Sequence, residues 1–241
     1  MRLLFREDPY QQACQATVTA IDGNRVWLDQ TVFYPNGGGQ PGDTGTLSWV
    51  GATADVADTV KGQNADTSVV VLAEGAPTPT VGSTVTASID WTRRHRLMRM
   101  HTSLHLLCSL VEGAVTGGQI GTEKSRLDFN IPSGTVDKVD LTNRLNALVE
   151  ADHPVSAGAI TEAELAAQPD LVRTMSVKPP SSAGTIRTIR IGDTAAATPV
   201  DYQPCGGTHV ARTAEIGPLA VTKIENKGKQ NRRIVVILNS A

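Results

Sequence analysis

Aromatic residues make up only 4% of the 241 residues. A core built on stacked rings is therefore excluded, and small β-branched side chains must fill much of the interior. There are three cysteines, Cys14, Cys108 and Cys205. So small and odd a number argues against a disulfide framework and fits a reducing compartment. No apolar run approaches the length of a membrane span. Met1 to Tyr10 carries charges and has no apolar stretch, so no secretory signal is expected, and the expected location is the cytoplasm. The formal net charge is -2, so an anionic partner would have to be held by local clusters of basic side chains. No internal repeat or low-complexity tract is present. What remains is an ordinary globular composition, 40% hydrophobic and 19% charged, long enough for one large domain or two modest ones.

Residues 1 to 90 read as all-β. Val18 and Ile21 stand among polar threonines, Asp22-Gly23-Asn24 is a turn signal, and Arg25 to Leu28 reads as the returning strand. Thr67 to Leu72 and Thr84 to Ile89 read as further strands, at a spacing that suggests a small barrel or sandwich. Within this region lies a glycine-rich loop, Tyr34-Pro35-Asn36-Gly37-Gly38-Gly39-Gln40-Pro41-Gly42-Asp43-Thr44-Gly45. Its glycines allow positive φ and leave backbone N–H groups uncovered. Such a loop is either a plain hairpin turn or a device that approaches a phosphate or carbonyl closely. No Lys-Ser/Thr follows, so it is not the phosphate loop of nucleotidases.

Near residue 90 the period changes from two to 3.6. Asp90 is placed as an N-cap, and Leu97, Met100, Leu104, Leu107, Cys108 and Val111 recur at helical steps, to about Glu112. The switch marks a domain boundary, giving 1–90 and 91–241. The helix opens with Arg93, Arg94, His95, Arg96 and Arg99, a run of one sign that is either a solvated face or a phosphate-holding entry. Gly117-Gly118 reads as a chain break, Ser125 to Asn130 as a strand, Val136 to Glu150 as a helix, and Thr161 to Glu164 as a capping box. Thr185 to Ile191 reads as a strand. Leu219 to Ile224 and Arg233 to Leu238 form a closing hairpin whose tip carries Lys227, Lys229, Arg232 and Arg233.

The helix contains His101-Thr102-Ser103-Leu104-His105. Positions i and i+4 share one helix face, so the two imidazoles can grip one ion. About a hundred residues later comes Cys205-Gly206-Gly207-Thr208-His209. Its thiolate and imidazole complete a zinc-type ligand set, and its glycines let the backbone fold tightly enough for both to converge. Cys108, three residues after His105, is a rival ligand, although a buried small apolar residue is the plainer reading. A metalloprotease helix would need glutamate directly after the first histidine. Thr102 stands there instead, which sets that class aside. Whether all four residues bind at once, or one stands off and leaves room for water or substrate, stays open.

These motifs resemble the AlaX alanyl-tRNA editing proteins, free-standing relatives of the editing domain of alanyl-tRNA synthetase, with the second additional domain of threonyl-tRNA synthetase as a more distant cousin. The resemblance is carried by His101-x-x-x-His105 with Leu106-Leu107, Cys205-Gly206-Gly207-Thr208-His209-Val210, Thr213-Ala214-Glu215-Ile216-Gly217, Gly228 to Ile234, Arg126-Leu127-Asp128-Phe129, and Gly37-Gly38-Gly39-Gln40-Pro41 with Asp43 and Gly45. It implies an α+β fold: a small N-terminal β-barrel packed on a two-layer α/β editing domain with helices over an antiparallel sheet. It implies a hydrolase that acts in trans on mischarged tRNA(Ala), engaging its acceptor stem and 3′ end and cleaving chiefly the seryl and also the glycyl ester. One Zn2+ per chain would sit on His101, His105, Cys205 and His209, the catalytic group together with Gln40. Gly37, Gly38, Gly39, Gln40 and Asp43 would position the ester or 3′ end, and Arg93, Arg94, Arg96, Lys227, Lys229, Arg232 and Arg233 would hold phosphates. Leu104 departs from the threonine that synthetase editing domains often carry before the second histidine, and an apolar side chain there cannot hydrogen-bond a serine hydroxyl. An editor of another aminoacyl ester, and a non-catalytic tRNA-binding protein with a structural zinc, are the alternatives. Oligomeric state is not legible in the sequence; a monomer is allowed.

Overall fold

The computed structural model describes residues 1–64, 66–131, 136–174, 181–182, 184–228 and 230–239. The chain divides into two compact units, Met1–Arg96 and Leu97–Ala241, of the α+β class expected from the sequence.

The first unit runs β1 (Arg2–Leu3), α1 (Leu4–Glu7), β2 (Ala13–Asp22), β3 (Arg25–Leu28), β4 (Gln30–Thr31), β5 (Gly45–Trp49), β6 (Ala52–Lys61), β7 (Ser68–Leu72) and β8 (Thr84–Ile89). Six of these strands close a barrel in the order β2-β3-β7-β6-β5-β8, and β1 pairs with β4. Alternate residues point inward, so Val18, Val26, Leu28, Leu47, Val56, Val70, Leu72 and Val85 form the core, with the valines the composition demanded. Register shifts at Val18/Ala20 and Val56/Asp58 supply the local bends that closure needs. β5 and β6 had no strong signal in the sequence. β5 has one buried residue, Leu47, and the inward positions of β6 include Ala54 and Thr59, which are too small or too polar to mark a period.

The glycine loop is a tight, locked turn. Gly37 and Gln40 exchange backbone hydrogen bonds of 2.9 and 3.0 Å. The two residues between them, Gly38 and Gly39, have φ of +58° and +83°, the pair of left-handed conformations a type I′ turn requires. Tyr34 donates its hydroxyl to the Gly37 carbonyl. The end of the loop is held by a buried ion pair. Asp43 accepts the Tyr34 backbone N–H at 2.6 Å and the Arg94 Nε–H at 3.0 Å, and a further bond comes from an Arg94 terminal nitrogen. The remaining Arg94 donors reach the carbonyls of Pro9 and Val32. Arg94 is 0% and Asp43 1% exposed.

α2 (Trp91–Leu110) follows, and the boundary between the units falls within it. Asp90 caps it, accepting the Arg93 N–H at 3.0 Å. The helix was expected to bury one stripe; instead nearly every residue from Leu97 to Cys108 is buried. Its polar residues turn their donors back onto the helix: Thr102 to the Met98 carbonyl and Ser103 to the Met100 carbonyl.

The second unit continues with β9 (Ala114–Gln119), β10 (Lys124–Asn130), α3 (Lys138–Glu150), β11 (Val155–Thr161), α4 (Glu162–Ala167), β12 (Ser181–Ser182), β13 (Thr185–Ile191), β14 (Asp201–Pro204), β15 (Leu219–Asn226) and β16 (Asn231–Leu238). The antiparallel sheet expected here is two sheets. One has the order β15-β16-β10-β9; in the other, β13 lies between β11 on one side and β12 and β14 on the other. Gly117 and Gly118 do not break the chain; they lie inside β9. A Cβ on Gly118 would stand 2.8 Å from Leu127 Cδ2 on the neighbouring strand, so glycine here is a packing choice. α3 is capped by Asp137 and fastened to β15 by Asn146, whose amide both donates to and accepts from the Leu219 backbone. Thr161 and Glu164 form the expected capping box at α4.

On the first sheet, Arg233 of β16 makes a two-pronged ion pair with Asp128 of β10, both bonds 2.8 Å. The Arg233 hydrogen bond holds the Asp128 carboxyl below its ordinary value against the opposing effect of burial, with Arg126 adding to it.

Two predictions follow the two pairs. Removing one partner strands a buried charge, so Asp43→Asn and Arg94→Met are each expected to cost about 3–5 kcal/mol in urea unfolding, while Arg96→Ala leaves the midpoint unchanged. A carboxylate depressed in the folded state adds stability above its unfolded pKa and loses it as pH falls through the folded one. The stability gap between wild type and Asp128→Asn is therefore expected to hold above the ordinary aspartate pKa of about 3.9 and to close as pH falls below it. A gap constant with pH would contradict the pairing.

Candidate metal centre

α2 carries His101 and His105 on one face, and the loop after β14 carries Cys205 and His209. The four candidate ligand atoms lie within 4.8 Å of one another. Cys205 Sγ is 3.4 Å from His101 Nε2 and 3.3 Å from His209 Nε2. The ring centroids of His101 and His209 are 4.3 Å apart, and those of His105 and His209 4.6 Å. A tetrahedral ion with bonds of about 2.0–2.3 Å sets its ligand atoms about 3.3–3.6 Å apart. The donor set and its spacing thus fit a divalent borderline-soft ion. The three histidines are buried and Cys205 is half-buried.

The loop is shaped for this. Arg187 of β13 donates to the carbonyls of Cys205 and Gly207 at 2.8 and 2.9 Å, and the Gly207 N–H turns back to Cys205 Sγ at 3.4 Å. Behind the ligands stand further polar groups. His105 Nδ1 is 2.8 Å from Asp201 Oδ2, and the Gln203 amide donates to the same oxygen at 3.0 Å. His209 Nδ1 is 3.1 Å from the Thr102 hydroxyl. That hydroxyl spends its own proton on Met98 and accepts the Val210 N–H at 3.3 Å, so the His209 Nδ1–H is the donor and Nε2 faces the cluster.

Burial raises the Cys205 pKa, but the charges of His101 and His209 outweigh it and take it well below the ordinary thiol value. Burial lowers that of His105, but Asp201 and Cys205 outweigh it and push it up to about 10. Burial, then the His101 charge, take His209 well below the ordinary imidazole value. Cys108 is different: burial pushes its thiol up to about 12, and it stands outside the four-residue group. It is a neutral core residue.

Two family models match parts of the chain. The model described as threonyl and alanyl tRNA synthetase second additional domain matches residues 186–235, and that of class II (A) tRNA synthetases matches residues 7–93. The alanine–tRNA ligase of Pyrobaculum arsenaticum is 38% identical over 235 residues, which are 93% of this chain and 25% of the ligase. The chain thus spans about a quarter of the length of such ligases. The alanyl-tRNA editing protein AlaX-M of Saccharolobus solfataricus is 33% identical over 236 residues, 96% of both chains. AlaX-M of Methanosarcina barkeri is 36% identical over 244 residues, 98% of both. The chain belongs to the AlaX-M family.

In this AlaX-M family member the other residues read as functional have varied positions. The glycine loop and Gln40 belong to the first unit, the four-residue cluster to the second. The amides of Gly37 and Gln40 are spent on each other, leaving those of the exposed Gly38 and Gly39; Gln40 itself is buried. Asp43 and Arg94 are buried and paired with each other. Arg93 is half-buried and donates to the Gly42 carbonyl at 2.6 Å. Arg99 donates to the Ile216 carbonyl, and Arg96 is exposed. Arg232 and Arg233 lie in β16 rather than at a hairpin tip. Arg233 is taken by Asp128, and Arg232 is half-buried beside the carbonyls of Gly228 and Asn231. Lys227 is exposed, 3.6 Å from Glu225, and Lys229 lies outside the described residues. Asp201, Gln203 and Arg187 were not singled out from the sequence. The only trace of the first two is their place, four and two residues before Cys205.

Cys205→Ala is expected to lose bound metal on dialysis while Cys108→Ala retains it, as measured by elemental analysis. The reverse result would assign the wrong thiol.

Proposed function

We propose that this protein is a trans-editing aminoacyl-tRNA deacylase that hydrolyses the ester of mischarged tRNA(Ala), with Ser-tRNA(Ala) the principal substrate and Gly-tRNA(Ala) the second. The observation that carries the reading is the convergence of His101, His105, Cys205 and His209 in a chain whose full-length relatives are named alanyl-tRNA editing proteins. The ion proposed is a single Zn2+, since three imidazoles and one thiolate are a zinc-type set. Bound there, zinc supplies a Lewis acid for a carbonyl and a lower pKa for water. The reaction adds water across the bond between the aminoacyl carbonyl and the terminal ribose oxygen, giving a free amino acid and an uncharged tRNA.

The chain's own residues supply position and exclusion. His101, His105 and His209 are buried, so the electrostatics of the site are weakly screened. Arg187 and the Gly207 N–H fix the thiolate. In the proposed division of labour, residues 1–90 form the barrel domain and residues 91–241 the editing domain. Arg96 and Lys227 are exposed cations available for phosphates. The acceptor stem and 3′ end of tRNA(Ala) are the proposed contact, in the cytoplasm.

A second reading has one observation in its favour. Leu104 is buried beside the two ligand histidines and offers no hydroxyl partner for serine, which favours an editor of another ester. The test is a deacylation panel: zinc-loaded protein with tRNA charged with serine, glycine, threonine or alanine. Fastest release of serine is expected, with glycine next and alanine untouched. Faster release of another ester would transfer the specificity to that amino acid. No release from any of the four would leave a tRNA-binding protein with a structural ion.

A further inference from the structure

We propose that Asp201 is a positioning residue of the metal centre, fixing His105 as its Nδ1–H tautomer so that Nε2 is the atom presented to the ion. The inference rests on the metal reading of the cluster and goes beyond it in naming the group that orients a ligand.

The geometry comes from strand periodicity. Side chains two apart on a strand share a face, and Asp201 and Gln203 of β14 stand two apart, with Cys205 two further on. Their common face looks onto α2: Asp201 and Gln203 meet His105, and Cys205 meets His101. Tyr202, between them, lies under the Arg190 guanidinium instead. One short strand and the residue that follows it therefore deliver the partner of one ligand and another ligand together. β14 is held in register by β13, through Asp201 opposite Ile191 and Gln203 opposite Ile189.

The chemistry follows from what each atom can do. Asp201 is only 7% exposed, and its Oδ2 lies 2.8 Å from His105 Nδ1. A carboxylate only accepts, so the proton of a neutral His105 lies on Nδ1 and the lone pair on Nε2. Gln203 Nε2 donates to the same oxygen at 3.0 Å and so fixes the carboxylate in turn. A buried carboxylate bonded to a ligating imidazole raises its basicity and locks its ring. It also adds a second negative charge beside the Cys205 thiolate, matching the charge of a divalent ion. Thr102 fixes His209 in the same sense, but with a neutral acceptor. The His105 side is therefore the stronger anchor.

Asp201→Asn keeps the volume and removes the charge. The expected result is a 10–100-fold loss of Zn2+ affinity in competition with a chromogenic chelator. In the Co2+-loaded protein the visible ligand-field bands should shift, a signature that a merely structural role would not move. Wild-type affinity with an unchanged Co2+ spectrum in Asp201→Asn would overturn the proposal and leave the metal reading standing. A wild-type protein that binds neither Zn2+ nor Co2+ would overturn both. Should Asp201→Asn not fold, Gln203→Leu carries the test. Freeing the carboxylate is expected to weaken Zn2+ binding several-fold, and unchanged binding there would equally overturn the proposal.

Discussion

A helix buried on nearly every face, yet carrying two histidines, a threonine and a serine in one turn and a half, must satisfy all their polar atoms from within the protein. α2 does so in two ways. Thr102 and Ser103 return their protons to the helix backbone, while His101 and His105 look outward onto a strand and a loop that bring a thiol, a carboxylate, an amide and a third imidazole. The candidate site is the meeting place of those demands. The strand β14 and the loop after it are shaped by it, down to the Arg187 bonds that hold the Cys-Gly-Gly turn.

The charges of the molecule separate into those spent on the fold and those left for a partner. Arg94, in the middle of the basic run, is the largest fully buried side chain, with its guanidinium shared among Asp43, Pro9 and Val32. Arg233 is spent on Asp128 in the same way. Both pairs fix a local shape, the end of the glycine loop in one unit and the β10–β16 ladder in the other. A basic run is thus a poor guide to a nucleic-acid surface when carboxylates distant in sequence are folded against it. Of the cations read from the sequence as phosphate contacts, Arg96 and Lys227 are the exposed ones among the described residues.

Much of the architecture was legible in the residues. The barrel's long valine-bearing strands, α2 with its Asp90 cap, α3, the capping box at α4 and the final hairpin were all in the periodicity, because hydrophobic alternation and cap chemistry are local. β5, β6, β9 and β14 were not. β5 has a single buried residue, Leu47, β6 buries alanine and threonine beside Val56, β9 contains the glycine pair, and β14 is four residues long, too short for a period to declare itself. The glycine loop was legible as a turn, but its lock, Asp43 with Arg94, spans 51 residues of sequence and leaves no local trace.

The sequence by itself determined the ligand types and their spacing: two imidazoles one helical turn apart, and a thiol and imidazole separated by glycines, a pattern whose chemistry holds in whatever fold contains it. It determined the alternation that makes a barrel from valines. Only the tertiary structure decided which cations are free, which thiol joins the cluster and which carboxylate stands behind His105. Those are pairings between residues about a hundred apart, and burial, rather than residue type, sets whether a charge faces solvent or another charge.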